Sequence, residues 1–225
     1  ILSFARKSNL VLGLKGGGIN GTAVTSRSGA ARYSCQINLE QGTATEDVPR
    51  AVGRFATILS KWTRLTDEST GVVVTPSDVE ISANISDVAV RGEAVLSARF
   101  NSREMAETLY KKIHNLLRTA GKGGFKVQIE GKLRRPPLLK NQKSEKLWQE
   151  IKSLADQADI RLLEEHRWSS SDVCYVQEEK AVLDGLGPVG ADHTERGEFI
   201  ITHSLIERAN LLALLLCDLI KRKKI

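Results

Sequence analysis

The residues best placed to do chemistry lie in the run Leu183-Asp184-Gly185-Leu186-Gly187-Pro188-Val189-Gly190-Ala191-Asp192-His193-Thr194-Glu195. A neutral imidazole is a good zinc ligand, and a loop rich in glycine, here Gly187 and Gly190, lets the backbone carry it close to a metal already held by other donors. The plain alternative for His193 is a surface-loop histidine beside Asp192 with no metal. Asp172 follows Ser171 at a helix start, so it suits an N-cap and a catalytic carboxylate equally. Arg135 precedes Pro136-Pro137, where it suits either a structural ion pair or the binding of a carboxylate, since a guanidinium fork pairs two carboxylate oxygens at once.

Other chemistries are excluded by spacing. The four histidines, His114, His166, His193 and His203, never fall at HExxH spacing, and neither a Gly-x-Ser-x-Gly elbow nor a P-loop is present. Gly16-Gly17-Gly18 lacks the Lys-Ser/Thr that phosphate binding needs and reads as a turn with Gly21. His203 opens a helix as a cap or exposed residue, and His114 decorates the polar face of another. Cys35, Cys174 and Cys217 are odd in number, far apart and in no CxxC pair, which implies neither a disulfide framework nor a thiolate zinc site. Cys174 reads as a small buried residue, and a reducing, cytoplasmic setting is the default.

The elements that must position these groups follow from periodicity. Ile1-Leu2-Ser3-Phe4 reads as part of a strand. Tyr33, Cys35, Ile37 and Leu39 alternate as on a half-buried strand. Thr45-Glu46-Asp47 and Pro49 mark a helix start, followed by Val52, Phe55, Ala56, Leu59 and Trp62 at helical spacing. Residues 72–74, 79–85 and 94–100 read as strands. Ser102 caps a helix whose face is Met105, Leu109, Ile113 and Leu116, and 125–131 is a further strand. The order is β-α-β-β-α-β, the ferredoxin-like pattern.

Arg134-Arg135-Pro136-Pro137 breaks it, because paired prolines neither continue a helix nor donate to a central ladder. Beyond lie a helix over 145–158, a short strand over 160–163, a helix opening over 171–176, a strand over 181–183 and a final helix over 204–219. Strands alternating with helices imply α/β layers, yet so few strands make less than a comfortable doubly wound sheet.

Composition bounds the function. Hydrophobic residues make up 41% and charged residues 27%, as in a folded globular chain. The longest apolar stretch, Leu211 to Cys217, is far below the ~20 residues that span a bilayer, so no membrane partner is expected. The net charge of +6 invites a nucleic-acid reading, but aromatics are only 5% and the basic residues are interspersed with acids except at Lys221-Arg222-Lys223-Lys224. That cluster suits a helix C-terminus, and no nucleic-acid affinity is expected.

The run LDGLGPVGADHTERGEFI, with HSLIERANLLALLLCDL after it, resembles the C-terminal signature of M20 zinc peptidases of the carboxypeptidase G2-like kind. The resemblance implies that His193 is a zinc ligand. It also implies that Arg135, in the Arg-Pro segment, and Arg99, in Ser97-Ala98-Arg99-Phe100, bind the substrate. Asp172 and the glycines Gly187 and Gly190 support the site. The implied fold is a ferredoxin-like lid inserted before the C-terminal half of a phosphorylase/hydrolase-like α/β catalytic domain. Residues 1–26 end the first catalytic half, 27–131 form the lid, and 132–225 form the second half. The implied activity is cleavage of an amide bond next to a free carboxylate in a small peptide or acyl-amino acid, with two zinc ions in the intact enzyme and weak or no zinc binding by this chain alone, in a homodimer joined through the lid.

The chain departs from that pattern. The family's His-x-Asp motif and its catalytic Glu-Glu pair are expected upstream of Ile1, Ala5 stands where a ligand glutamate is expected, and Gly42-Thr43-Ala44-Thr45-Glu46 has no lid histidine. Ser97 replaces an aspartate, and Ser169 and Ser170 replace glycines. The expectation is a part of a metallohydrolase with no catalytic residue of its own and little or no activity alone. The alternative is a degenerate relative retained as a dimerisation or binding module.

Overall fold

The computed structural model describes residues 2–39, 44–120, 126–176, 180–191 and 197–223. In chain order the elements are α1 (Leu2–Lys7), β1 (Leu10–Leu12), β2 (Gly16–Gly17), β3 (Thr22–Arg27), β4 (Gly29–Leu39), α2 (Asp47–Thr63), β5 (Val73–Asn84), β6 (Ala89–Phe100) and α3 (Arg103–Ala120). They continue with β7 (Lys126–Arg135), α4 (Gln142–Gln157), β8 (Leu163–Arg167), a 3-10 turn (Asp172–Val176), β9 (Ala181–Leu183), β10 (Gly187–Ala191), β11 (Phe199–Ile200) and α5 (Thr202–Lys223). The architecture is mixed α/β, in two compact units: Ser28–Pro137, and Ile1–Arg27 with Leu138–Ile225.

The unit Ser28–Pro137 is one antiparallel sheet in the order β5-β6-β4-β7 with two helices. Alternation along β4 sends Ala31, Tyr33, Cys35, Ile37 and Leu39 into the core, where Phe55 and Trp62 of α2 and Leu109 and Ile113 of α3 meet them. Each large side chain buried this way contributes roughly 1.5–3 kcal/mol. The α2 face is Val48, Ala51, Phe55, Ile58 and Trp62, so Ala56, expected inside, is exposed and Ile58 takes its place. The expected cap also differs: Glu46 occupies the N-cap without a side-chain bond, and Asp47 accepts from the Ala44 amide at 3.2 Å. The Ser102 hydroxyl does cap α3, accepting from the Met105 amide at 3.1 Å.

The two expected strands at 72–74 and 79–85 are one strand, β5, with a register shift between Ser77 and Glu80 and a positive φ of 49° at Asp78. An edge position lets this strand carry Pro76, which has no amide to donate.

In the other unit, parallel pairs dominate: β1 with β9, β2 with β10, and β3 with β8, while β11 joins β10 antiparallel. Leu147, Trp148 and Ile151 of α4 and Leu211 and Leu215 of α5 close over Ala23, Leu183 and Leu186. Asn141 caps α4 by accepting from the Ser144 amide at 2.8 Å, and the Ser144 hydroxyl accepts from Val182 at 3.0 Å, tying the helix to β9.

Four local expectations are corrected here. Leu2–Lys7 is a helix, because Leu, Ala, Arg and Lys are strong helix formers and the run has no β-branched residue; Ala5 therefore does not end a strand. Gly16-Gly17 is a strand and not a turn, since β10 runs beside it. The strand expected at 160–163 begins only at Leu163, opposite Thr22, although Ile160 and Leu162 are buried as their alternation suggests. The helix expected at 171–176 is a single 3-10 turn.

Candidate functional site

On the sheet of the unit Ser28–Pro137 one face is apolar and covered by α2 and α3; the other carries the charge. Ala30 of β4 is paired with Arg99 of β6 on one side and with Arg135 of β7 on the other. Directly paired residues project to the same face, so the two guanidinium groups leave one sheet surface from strands flanking a methyl group. Their Cα atoms are separated by two strand spacings, roughly 10 Å, a span that two long side chains close easily.

A bulge sets this register. Between Ala30 and Ala31 the partner strand gains one residue, so that Leu133 opposes Ala31 and Arg135, not Arg134, is aligned with Ala30. Two further cations share the surface, since Arg32 is paired with Ser97 on β6 and with Lys132 on β7. Like charges directly opposite one another destabilise a sheet; Asp78 approaches Arg32 only at 3.4 Å and in an exposed pair. Local costs of this kind recur where a surface is kept for a ligand.

In the other unit the polar centre is buried. The Arg27 Nε lies 2.8 Å from Asp184 Oδ2, with side chains 1% and 0% exposed. Arg27 also donates to the backbone and hydroxyl oxygens of Ser169, both at 2.9 Å. Asp184 Oδ1 accepts from the Gly185 amide at 2.8 Å. Gly185 has φ of +70°, and a Cβ there would stand 2.6 Å from the Val24 side chain, so only glycine fits. Burial lowers the Arg27 pKa, and the adjoining Asp184 works in the opposite direction. His166 of β8, itself exposed, shares a hydrogen bond of 2.9 Å with Ser26, and partial desolvation followed by the Arg27 charge lowers its pKa.

The remaining expected residues fall as follows. Asp172 is the exposed first residue of the 3-10 turn, so the cap position belongs to Ser171. Gly187 and Gly190 lie in a strand, not a loop, and act through close approach. A Cβ on Gly187 would meet the Leu14 carbonyl oxygen at 2.4 Å, and one on Gly190 the Phe199 carbonyl oxygen at 2.2 Å. Pro188 is accommodated where the β10–β2 register shifts. His193 lies outside the described residues. His203 is exposed, with Glu207 at 3.7 Å, and the His114 ring lies 4.1 Å from that of Tyr110, tilted by 48°.

Sequence reasoning passed over Arg27 although Asp184 stood in its central motif. The available signal was an aspartate closing an apolar strand, a position that demands a partner.

Among the described residues no group of three or more His, Cys, Asp or Glu side chains could hold a metal ion. They do not fit the expected zinc pair. No described helix is long and apolar enough to cross a membrane.

No family model matches the chain, and no curated protein matches it. Solved structures do. Aminopeptidase PepT from Bacillus cereus superposes with a TM-score of 0.74 at 17% identity, over 92% of this chain and 56% of that one. The chain shares its fold with M20-type peptidases and amidohydrolases. A tripeptidase from Staphylococcus aureus gives 0.73 at 16% identity, over 92% and 56%. A dinuclear metal-binding peptidase of the M20 family from Bacillus subtilis gives 0.63 at 12%, over 91% and 52%. The chain thus spans about half the length of these M20-fold proteins.

Proposed function

We propose that the chain is the lid and C-terminal catalytic part of an M20-type, zinc-dependent peptidase or amidohydrolase that cleaves an amide bond next to a free carboxylate. The unit Ser28–Pro137 is its ferredoxin-like lid, in keeping with the strand order β5-β6-β4-β7 and the chain order β-α-β-β-α-β. The lid joins two copies into a homodimer. Arg99 and Arg135 hold the substrate carboxylate; the observation that carries this reading is their register on either side of Ala30. His193 is one zinc ligand, and the other ligands belong to the portion of the fold that this chain does not span. The substrate is a small peptide or an acyl-amino acid.

On this reading the chain alone binds an acyl-amino acid weakly and does not hydrolyse it. The test is calorimetric titration with N-acetyl-L-leucine and its primary amide, alongside a hydrolysis assay with zinc. Preference for the carboxylate without turnover is the expected result. Robust turnover would contradict the assignment of the missing ligands. Equal binding of acid and amide would contradict the role of the arginines and favour a non-catalytic module.

A further inference from the structure

The last helix, α5, is apolar on two opposite sides. Ser204, Arg208, Leu211 and Leu215 form its buried face, and the two leucines join the core beneath it. On the other side Ile206, Leu216 and Ile220 are 61%, 54% and 58% exposed, and Ala209 and Ala213 between them are exposed too. From Ala209 to Cys217 the helix carries no charged residue. A surface helix ordinarily turns charged groups to water, and one that is apolar all round belongs in an interior.

The outer residues are spaced as a seam. Ile206, Ala213 and Ile220 recur every seven residues, and Ala209 and Leu216 follow the first two by three positions, the a and d pattern by which one helix packs along another. At 1.5 Å per residue the seam runs for about 21 Å.

It also reads the same in both directions about Ala213. Turned end for end on a copy of itself, it sets Ile206 against Ile220, Ala209 against Leu216 and Ala213 against Ala213. Each Leu216 thus faces an alanine, and the small residues at the centre allow a close approach.

Charge agrees with this direction. Glu207 lies beside the seam near its start, with His203 at 3.7 Å, and Lys221 lies exposed on the same flank near its end. Antiparallel helices bring each Glu207 to the second copy's Lys221, whereas parallel ones would set like charges against each other, which is unfavourable.

We propose that α5 is a contact between two copies of this chain, an antiparallel two-fold pair along Ile206, Ala209, Ala213, Leu216 and Ile220. It is separate from the lid contact proposed above, which belongs to the unit Ser28–Pro137, so either can fail without the other. One helix face on each copy makes a small interface, and the pairing is therefore reversible.

The test is oxidation by diamide of the 225-residue chain carrying A213C/C217S, read as disulfide-linked dimer on a non-reducing gel. Residue 213 lies on the two-fold axis and should cross-link rapidly, while Cys35 and Cys174 are buried. The wild-type chain is the control, because Cys217 is exposed on the same helix but off the axis. In the antiparallel pair it stands roughly 12 Å along the helix from its counterpart, beyond the reach of a disulfide, and should cross-link roughly tenfold more slowly. Adding L216E, at an exposed position, should slow the cross-link at 213 by about tenfold, since it presses a carboxylate into the seam. E207K should slow it several-fold, and E207K/K221E should restore it. Slow cross-linking at 213 would leave the face to another portion of the fold and overturn the proposal. Equal rates at 213 and 217, the mark of a parallel pair or of chance collision, or no recovery in the charge exchange would overturn it as well.

Discussion

Arg27 and Asp184 meet at 2.8 Å with neither side chain appreciably exposed, so a buried charged pair closes the end of β9. Removing one member strands the other. Asp184→Asn should therefore cost about 3–5 kcal/mol in urea unfolding, while the apolar double replacement R27M/D184L should cost much less. A loss below about 1 kcal/mol for the single variant would be that of a solvated surface pair, and would contradict the buried geometry.

Burial raises the Cys35 pKa to about 12, Cys174 is also buried, and Cys217 is exposed. The reactive species is the thiolate. A disulfide reagent at mildly alkaline pH should thus titrate a single thiol in the native chain, Cys217, and all three once denaturant is added. Rapid native labelling of Cys35 would show that the α2–sheet core opens easily.

His166 is held below its ordinary pKa by partial desolvation and then by Arg27. Between the folded and unfolded values the unfolded chain binds more protons, so stability rises with pH through that window. It should fall as the pH drops below about 6.5, the unfolded value. Urea midpoints across that interval should show the slope in the wild type and a smaller one in H166Q. An unchanged slope in the variant would place the proton uptake on another group.

Gly190→Ala would drive a methyl group to 2.2 Å from the Phe199 carbonyl oxygen, where β11 runs beside β10. Overpacking of this kind costs typically 1–3 kcal/mol, here taken as about 2. Faster amide exchange is expected at Ile201, whose N–H donates to Val189 at 2.8 Å. Gly53→Ala is the control: it lies in α2 with nothing within 4 Å of an added Cβ, and should stabilise by about 0.5–1 kcal/mol. Equal effects at the two sites would show that β11 does not hold β10.

Much of the sheet in the unit Ser28–Pro137 was legible because its determinants are local. The alternation of Tyr33, Cys35, Ile37 and Leu39 and the face of Met105, Leu109 and Ile113 are both written into short windows of sequence. Leu2–Lys7 and Gly16-Gly17 were not, for opposite reasons. The first lies in a short apolar run that strand and helix share; the second is a strand only because β10, far along the chain, supplies its partner. Of the candidate site, the identities of Arg99 and Arg135 were readable, but their common face was not. It depends on a bulge of one residue, and a shift of one residue inverts the face of every side chain beyond it. Arg27 opposite Asp184 was equally hidden, since the two are brought together by pairing across most of the chain.

The central claim is that Arg99 and Arg135 act together on one carboxylate. A double-mutant cycle on N-acetyl-L-leucine binding, using R99Q, R135Q and the double variant, tests it directly. Each single change should weaken binding by about 1.5–3 kcal/mol. The double change should fall short of the sum by more than about 0.5 kcal/mol, the limit for independent sites. Strictly additive losses, or no loss from either arginine, would contradict the account.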